Sequence, residues 1–213
     1  MLAKVLRQFA KLYGEVDDTL KPVPLLARAL KVYQAIEIFE PDSCLRERAA
    51  TYMALASLER SNNRLELSSE HYVAALELYR RQGAASASEL SQCLNGLANL
   101  HSDINNLSDA EREYIEALAI RRHLAAENPA KFESAVASTL NNLAIFHKSV
   151  NRLAEAEREY NETLGIWRRL AAENPAKFEP AQANSNMRSI SEKPLPKRIP
   201  QSFPPTWRKR RLH

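Results

Sequence analysis

The chain has 213 residues, of which 45% are hydrophobic and 26% are charged, as in ordinary soluble globular proteins. No run of about 18 apolar residues occurs, and charges interrupt the N-terminal segment, so we expect neither a membrane-spanning helix nor a secretory signal. The two cysteines lie far apart in sequence and indicate no disulfide framework. The expected compartment is the cytoplasm.

An internal repeat spans most of the chain. The segment LAAENPAKFE at residues 124–133 recurs without change at 170–179, and AEREY at 110–114 recurs at 156–160. Both pairs are 46 residues apart, and weaker matches continue the pattern towards the N-terminus. Such self-similarity is typical of repeat proteins. It predicts one repeat array over residues 1–190, with four units at about 3–40, 45–84, 87–128 and 133–174.

Each unit predicts an A helix and a B helix with a tight turn between them. The first unit fits this pattern least well, because Pro22 stands where the other units have a small residue. In the third unit, apolar and small residues recur at helical spacing from Leu94 to Ala98 and again from Ala110 to Leu118. Asparagine tolerates a left-handed turn conformation. It occupies the aligned turn positions of units two to four, at Asn63, Asn105 and Asn151.

Prolines and charged residues mark the helix boundaries and the outer faces. Pro129 and Pro175 stand where a B helix must stop, and proline suits the first turn of the helix that follows. Glutamate and arginine recur three or four residues apart on the B helices, as in AEREYIEALAIRR at 110–122. Such pairs predict a solvated outer face that is stabilised by modest ion pairs within each helix.

The repeat pattern ends near residue 179. Residues 179–190 keep none of the expected leucines and are predicted to form a degenerate, partial fifth A helix. Residues 191–213 contain five prolines and seven basic residues against one acidic residue, which predicts a disordered basic tail. No capping helix is recognisable. The exposed end of the last hairpin would then associate with itself, be covered by the tail, or leave the array poorly stable. Its apolar residues include Leu164, Trp167 and Leu170. The abrupt loss of the repeat also fits a truncated or shifted reading frame.

The units resemble the tetratricopeptide repeat in their small residues and in the aromatic residues Tyr72, Tyr114 and Tyr160. Their length and the LNNLA string at 140–144 resemble the kinesin-light-chain-like subgroup of bacterial tetratricopeptide proteins. The resemblance implies an all-α, right-handed α-solenoid of about four helical hairpins. It also implies a scaffold that binds a protein or an extended peptide in a concave groove lined by the A helices.

The implied groove uses polar positions of the A helices. The candidate residues are Arg7, Lys11, Ser57, Arg60, Gln92, Asn95, Asn99, Asp103, Ser138, Asn141, Asn142, Ile145 and Lys148. Asparagine is a poor helix former, so its recurrence here favours a binding role, since an amide both donates to and accepts from a peptide backbone. The alternative interpretation is that these asparagines are solvated or cap neighbouring backbone. The basic candidates do not reproduce the spacing of the family's carboxylate clamp.

Catalytic and metal-binding motifs are absent from the sequence, including a phosphate loop, G-x-S-x-G, H-E-x-x-H and paired cysteines. We therefore expect no enzymatic activity, cofactor or metal, and interpret the aligned His101 and His147 as partly buried structural residues. Two other functions stay open. The array could be the sensor part of a larger signalling protein. Alternatively, WRKRR at 207–211 could bind nucleic acid, although it contains a single aromatic residue and accompanies no nucleic-acid-binding module.

Overall fold

The computed structural model describes Arg7, residues 22–174 and Phe178. Within residues 22–174 the regular elements are α1 (Pro22–Phe39), α2 (Leu45–Ser61), α3 (Leu65–Gln82), a 3₁₀ turn (Gly83–Ser86), α4 (Ala87–Asp103), α5 (Leu107–Glu127), α6 (Pro129–Ser149) and α7 (Leu153–Glu173). The all-α prediction is confirmed. The predictions for Lys11, residues 179–190 and residues 191–213 lie outside the described residues. None of the helices in the described part combines the length and apolar character that a bilayer crossing requires.

The helices form a stack of hairpins. α2 packs on α3, α4 on α5 and α6 on α7, and each hairpin packs on the next through adjoining B and A helices. The A helices α2, α4 and α6 also contact one another along one side of the stack. α1 packs on α2 in the manner of a B helix. Because each unit contacts its neighbours in turn, the stack is an α-solenoid, as predicted.

Asparagine closes the turn inside each of these three hairpins. Positive φ angles of 58°, 61° and 63° occur at Asn63, Asn105 and Asn151. The next backbone N–H then reaches back to helix A: in the third unit, Asn106 donates to the carbonyl of His101 at 2.8 Å, and the other two hairpins repeat this bond at the same length. Such bonds satisfy carbonyls that the end of a helix leaves unpaired. The predicted left-handed turn is confirmed.

Small and aromatic residues share the core of the stack. Aligned alanines of the three A helices are fully buried, at Ala56, Ala98 and Ala144. Because alanine has only a methyl side chain, the B helix of the same hairpin can approach closely. Tyr114, which is 3% exposed, fills the space towards the next unit, where its ring centroid lies 5.8 Å from that of Phe146. Small residues therefore bring the two helices of a hairpin together, and Tyr114 fills the space between one hairpin and the next.

The connection between α5 and α6 is a single residue. Asn128 ends α5, and its Oδ1 accepts a hydrogen bond from the backbone N–H of Lys131 at 3.2 Å, which caps α6. Pro129 then opens α6, where the missing proline N–H costs no intrahelical bond. Helix A of the fourth unit therefore begins at Pro129, in keeping with the place expected of this proline in the first turn of a helix.

The B helices are also joined by ion pairs between units, which the sequence pattern did not predict. Arg80 on α3 pairs with Glu116 on α5 at 3.1 Å, and the aligned Arg122 on α5 pairs with Glu162 on α7 at 2.6 Å. A pair within a helix occurs at Arg112, three residues from its partner. Stacking places residues of adjacent B helices side by side, so the predicted ion pairs within helices are an incomplete description of this face.

The apolar end of the last hairpin is less open than expected. Leu170 is 2% exposed, and Leu164 and Trp167 are half-buried. The ring of Trp167 also packs against that of Phe178, with centroids 6.0 Å apart. These side chains are shielded from solvent because they pack against the core of the hairpin and, in the case of Trp167, against Phe178.

Candidate functional site

Apart from Arg7 and Lys11, the predicted groove residues lie on the A helices α2, α4 and α6, and neighbouring A helices contact each other. Six of these residues are exposed: Ser57, Gln92, Asp103, Ser138, Ile145 and Lys148. Five are half-buried: Arg60, Asn95, Asn99, Asn141 and Asn142. Arg7 is half-buried on helical backbone, whereas Lys11 lies outside the described residues. Their role in binding stays a prediction.

Two pairs of these side chains meet across neighbouring A helices. Asn142 on α6 donates from Nδ2 to Oδ1 of Asn95 on α4 at 3.3 Å. Arg60 on α2 donates from Nε to Oδ2 of Asp103 on α4 at 2.6 Å. The second pair matters for charge recognition. Because Asp103 neutralises Arg60, this cation is not available as an unpaired anion-binding group.

Asn99 holds the core tyrosine of its own hairpin. The hydroxyl of Tyr114 donates to Oδ1 of Asn99 at 2.5 Å. Burial raises the pKa of Tyr114, so the hydroxyl stays protonated as a donor. The side chain of Asn99 is therefore used in a hydrogen bond within its own hairpin. Asn141 differs, because its Oδ1 is buried and accepts no hydrogen bond from the described residues. Such an unsatisfied acceptor is uncommon in folded proteins.

A cavity of about 370 Å³ lies between α4 and α6. Three predicted groove residues line it, namely Gln92, Asn95 and Ser138. The rest of its wall is formed by Ser88, Ser91, Arg121, Phe132 and Ala135. The lining offers amide and hydroxyl groups beside an aromatic ring, a mixture that is common in ligand-binding cavities.

Arg121 is the lining residue that our sequence analysis missed. It belongs to a B helix, α5, and the residue is 8% exposed, yet its guanidinium hydrogen-bonds to residues of both α4 and α6. Nε donates to Ser91 Oγ at 3.2 Å, and Nη1 donates to the Ala135 carbonyl at 2.9 Å and to Thr139 Oγ1 at 2.5 Å. Burial lowers the pKa of Arg121 to about 10, so the group is still charged at neutral pH.

A signal for Arg121 does exist in the repeat alignment. The positions that align with it hold aromatic residues in the other three units, at Tyr33, Tyr79 and Trp167. Two of those aromatic residues, Tyr33 and Tyr79, are almost fully buried. A single cation at an otherwise aromatic core position could therefore have been singled out from the sequence.

The three hairpins α2–α3, α4–α5 and α6–α7 each contain a largely buried histidine–glutamate pair. His101 Nδ1 on α4 lies 2.8 Å from Glu113 on α5, and the pair recurs in the next unit between His147 and Glu159. In the second unit the two residue types exchange helices, with Glu59 on α2 and His71 on α3 at 2.5 Å. Burial raises the pKa of Glu113 and of Glu159. These pairs join helix A to helix B, and residues 22–174 contain no cluster of such side chains that could hold a metal ion.

Comparison with known families finds the tetratricopeptide repeat twice. One tetratricopeptide repeat family model matches residues 47–123, and a second matches residues 136–175. Together they cover more than half of the chain. Among curated proteins, no sequence matches.

Solved structures of similar fold include repeat proteins named after kinesin light chain. BtubC (BKLC) from P. vanneervenii is 22% identical with a TM-score of 0.64, covering 93% of this chain and 85% of its own. A second structure contains the nearly identical TPR-like repeats of a putative kinesin light chain from Podosopora anserina. It is 16% identical to this chain with a TM-score of 0.57, and the match covers 85% of this chain and 81% of that one. The apo form of RapI is 15% identical with a TM-score of 0.68, covering 86% of this chain and 62% of its own.

These likenesses confirm the predicted resemblance at the level of fold. The family matches begin in α2 and end just beyond α7, which are the three hairpins whose turns and core the structure describes. The matched sequence and the hairpin stack point to one family. The chain belongs to the tetratricopeptide repeat family.

Proposed function

We propose that the chain is a scaffold that holds an extended segment of a partner protein in the groove formed by α2, α4 and α6. The observation that supports this function is the cavity between α4 and α6, lined by Gln92, Asn95 and Ser138. The amide side chains there provide both donors and acceptors. An extended peptide leaves its backbone N–H and C=O groups unpaired, so these side chains could satisfy them.

A catalytic role has no comparable support. The histidine–glutamate pairs and ion pairs such as Arg122–Glu162 link helices to one another. The cavity is lined by amides, hydroxyls and a guanidinium, without a nucleophile held beside a general base in the described residues. Binding is therefore the function that we propose.

The second candidate is a sensor array within a larger signalling protein. It is favoured by the fold similarity to RapI, because this chain spans 62% of that protein and comparable arrays thus occur in longer chains. The same groove would then recognise the partner. The two candidates differ in what binding changes, namely the location of a partner or the activity of an attached effector domain.

The test is affinity capture with the wild-type chain beside an Asn95→Ala/Asn141→Ala/Asn142→Ala variant. We expect partners recovered by the wild type to bind the variant at least about tenfold more weakly, because the amide contacts are lost. Glu157→Ala/Asn161→Ala/Arg168→Ala, on exposed positions of α7, is the matched control. Circular dichroism of all three proteins checks that they remain folded. Equal capture of every partner by both triple variants would contradict a role for the groove.

A further inference from the structure

The junction between the third and fourth units contains an imidazole that faces two carboxylates. His147 on α6 is 4% exposed. Its Nδ1 lies 2.8 Å from Glu159 on α7, within its own hairpin, and its Nε2 lies 3.2 Å from Glu111 on α5, in the preceding hairpin. The ring therefore joins two consecutive units, whereas the histidine–glutamate pairs of the other two hairpins each join the helices of one unit.

This geometry needs a proton on each ring nitrogen. An ionised carboxylate only accepts hydrogen bonds, and a neutral imidazole has one N–H and one nitrogen lone pair. A neutral His147 could donate to one glutamate, but its lone pair would then face an oxygen atom of the other. An imidazolium donates from both nitrogens, and its charge strengthens both bonds.

Glu111 is itself ionised at neutral pH. Its Oε1 accepts a hydrogen bond from Nη1 of Arg152, the residue that precedes α7, and lies within hydrogen-bond distance of the His147 ring. Burial acts to raise the pKa of Glu111, but the hydrogen bonds with Arg152 and His147 outweigh it, so the pKa is lowered overall. The Nε2 atom of His147 therefore faces a group that can only accept.

The other charged groups at this junction are mainly negative. From α7, Glu159 and Glu155 add two carboxylates, and Arg152 pairs with Glu155 as well as with the carboxylate of α5. Three glutamates thus surround one guanidinium, and a positive charge on the imidazole brings the group closer to neutrality. On α6 itself, the neighbouring Lys148 is exposed.

The junction between units two and three lacks this arrangement. Its aligned histidine, His101 near the end of α4, has one carboxylate partner among the described residues, Glu113 at 2.8 Å. Ser69 of α3 takes the place of the second carboxylate, and Asp103, at the end of α4, pairs with Arg60. A neutral imidazole satisfies a single contact by donating from Nδ1. The second carboxylate therefore distinguishes the junction between units three and four.

We propose that His147 is held as an imidazolium that fastens the fourth unit to the third, and that loss of its second proton as the pH rises loosens this junction. Without that proton, one ring nitrogen would face a carboxylate oxygen with no hydrogen between them, and the link to α5 or to α7 would be broken. Histidine in an unfolded chain has a pKa of about 6.5. The stabilisation is therefore complete below that value and is lost as the pH rises above it, because only the folded state keeps the proton.

The first test is the protonation state of the His147 ring in the full-length chain. It is measured by ¹⁵N NMR at about pH 7.5, about one unit above the ordinary pKa of histidine, with the ring assigned by through-bond correlation to its own backbone. We expect two protonated nitrogens in the wild type. In Glu111→Gln we expect one unprotonated nitrogen, because the glutamine amide can donate to a lone pair. An unprotonated ring nitrogen in the wild type would overturn the proposal.

The second test measures the proton through stability, by chemical denaturation between about pH 7 and 8.5. One proton held only by the folded state lowers the folding equilibrium constant by up to about tenfold per pH unit. The wild type should show this fall, and Glu111→Gln should lack it. The substituted side chain is 31% exposed, so the variant is expected to fold.

Glu155→Gln is the matched control, because it removes a carboxylate that also pairs with Arg152 but is not hydrogen-bonded to His147. It should follow the pH dependence of the wild type. Equal pH dependence in the wild type and Glu111→Gln, or the same flattening in both glutamine variants, would show that the two-carboxylate contact of His147 is not the source of the effect and would refute the proposal.

Discussion

Gly96 lies where two neighbouring hairpins come close together. A Cβ placed on it would lie 2.7 Å from Cε1 and 2.8 Å from Oη of Tyr72, which is itself 5% exposed and held by the core. Gly165, in the middle of α7, would meet no atom within 4 Å. Both glycines thus lie inside α-helices, Gly96 in an A helix and Gly165 in a B helix, but they differ in the space around them.

We expect Gly96→Ala to lower the free energy of unfolding by about 1–3 kcal/mol, because the Tyr72 ring must move. Gly165→Ala is the matched change and should raise it by up to about 1 kcal/mol, because alanine favours helix over glycine. Urea denaturation measures both. Stabilisation by Gly96→Ala similar to that by Gly165→Ala would show that Tyr72 yields without cost.

Arg121 shows why one residue type cannot be interpreted without its neighbours. From its place in α5, it belongs to a B-helix pattern of arginines and glutamates that predicts a solvated face. The adjacent Arg122 does lie on that face, with its side chain 51% exposed. A helix turns about 100° per residue, so consecutive arginines point in different directions, and packing places one of them in the core.

At the scale of the elements, the two helices of each of the three described hairpins are joined in two places. The asparagine turn joins the helix ends, and the histidine–glutamate pair joins helix A to helix B on the buried side. In the second unit the glutamate and the histidine exchange places. Although the two residues exchange helices, one histidine and one glutamate still meet at the same contact. The three hairpins therefore share the pair and not a fixed residue at either position.

The pair makes the stability of the array sensitive to pH. Burial raises the pKa of Glu113 above its usual 4.5, although its contact with His101 acts in the opposite direction. A carboxyl with a raised folded-state pKa contributes most to stability below its ordinary pKa. That contribution is lost as pH rises through the folded-state value. As the pH is raised from well below the ordinary value of 4.5 to above it, the wild type should therefore lose stability relative to Glu113→Gln.

Chemical denaturation at closely spaced pH values measures this difference. Glu157→Gln, at an exposed position of α7, is the control and should follow the wild type across the same range. A difference between wild type and Glu113→Gln that stays constant, or that grows in favour of the wild type with rising pH, would contradict the effect assigned to burial.

At the scale of the whole molecule, successive units are joined by apolar packing and by the ion pairs of the B helices. The aligned pairs Arg80–Glu116 and Arg122–Glu162 repeat the same link along the stack. Their side chains are 38% to 54% exposed, so water and salt screen the attraction. The apolar contacts between hairpins therefore contribute most of the free energy that holds successive units together, and the ion pairs contribute a smaller part.

Arg122→Gln should lower the free energy of unfolding by less than about 1 kcal/mol, as for other exposed pairs. The loss should shrink further in about 1 M salt, where charges are screened over a few ångströms. A double-mutant cycle with Glu162→Gln isolates the pair from other effects of the substitution. A coupling that is both larger than about 2 kcal/mol and independent of salt would mean that the link is a main support of the stack.

The sequence by itself determined the helical hairpins, their repeat and the turns. Helix formation follows from apolar spacing within about 20 residues, and the left-handed turn depends on one residue, as at Asn105. The A-helix positions of the candidate groove followed from the same periodicity together with the family resemblance. These features are local or repeated, so they can be recognised without knowing which helices meet.

Only the tertiary structure decided which polar groups are paired with one another. Asn95 meets Asn142 from the next unit, Arg60 is neutralised by Asp103, and Arg121 enters the space between α4 and α6. Each of these contacts joins residues from different helices, and the stacking of one unit on another sets its distance. Spacing along the chain carries no information about that stacking geometry, which is why the cavity and its buried cation became visible only in the folded molecule.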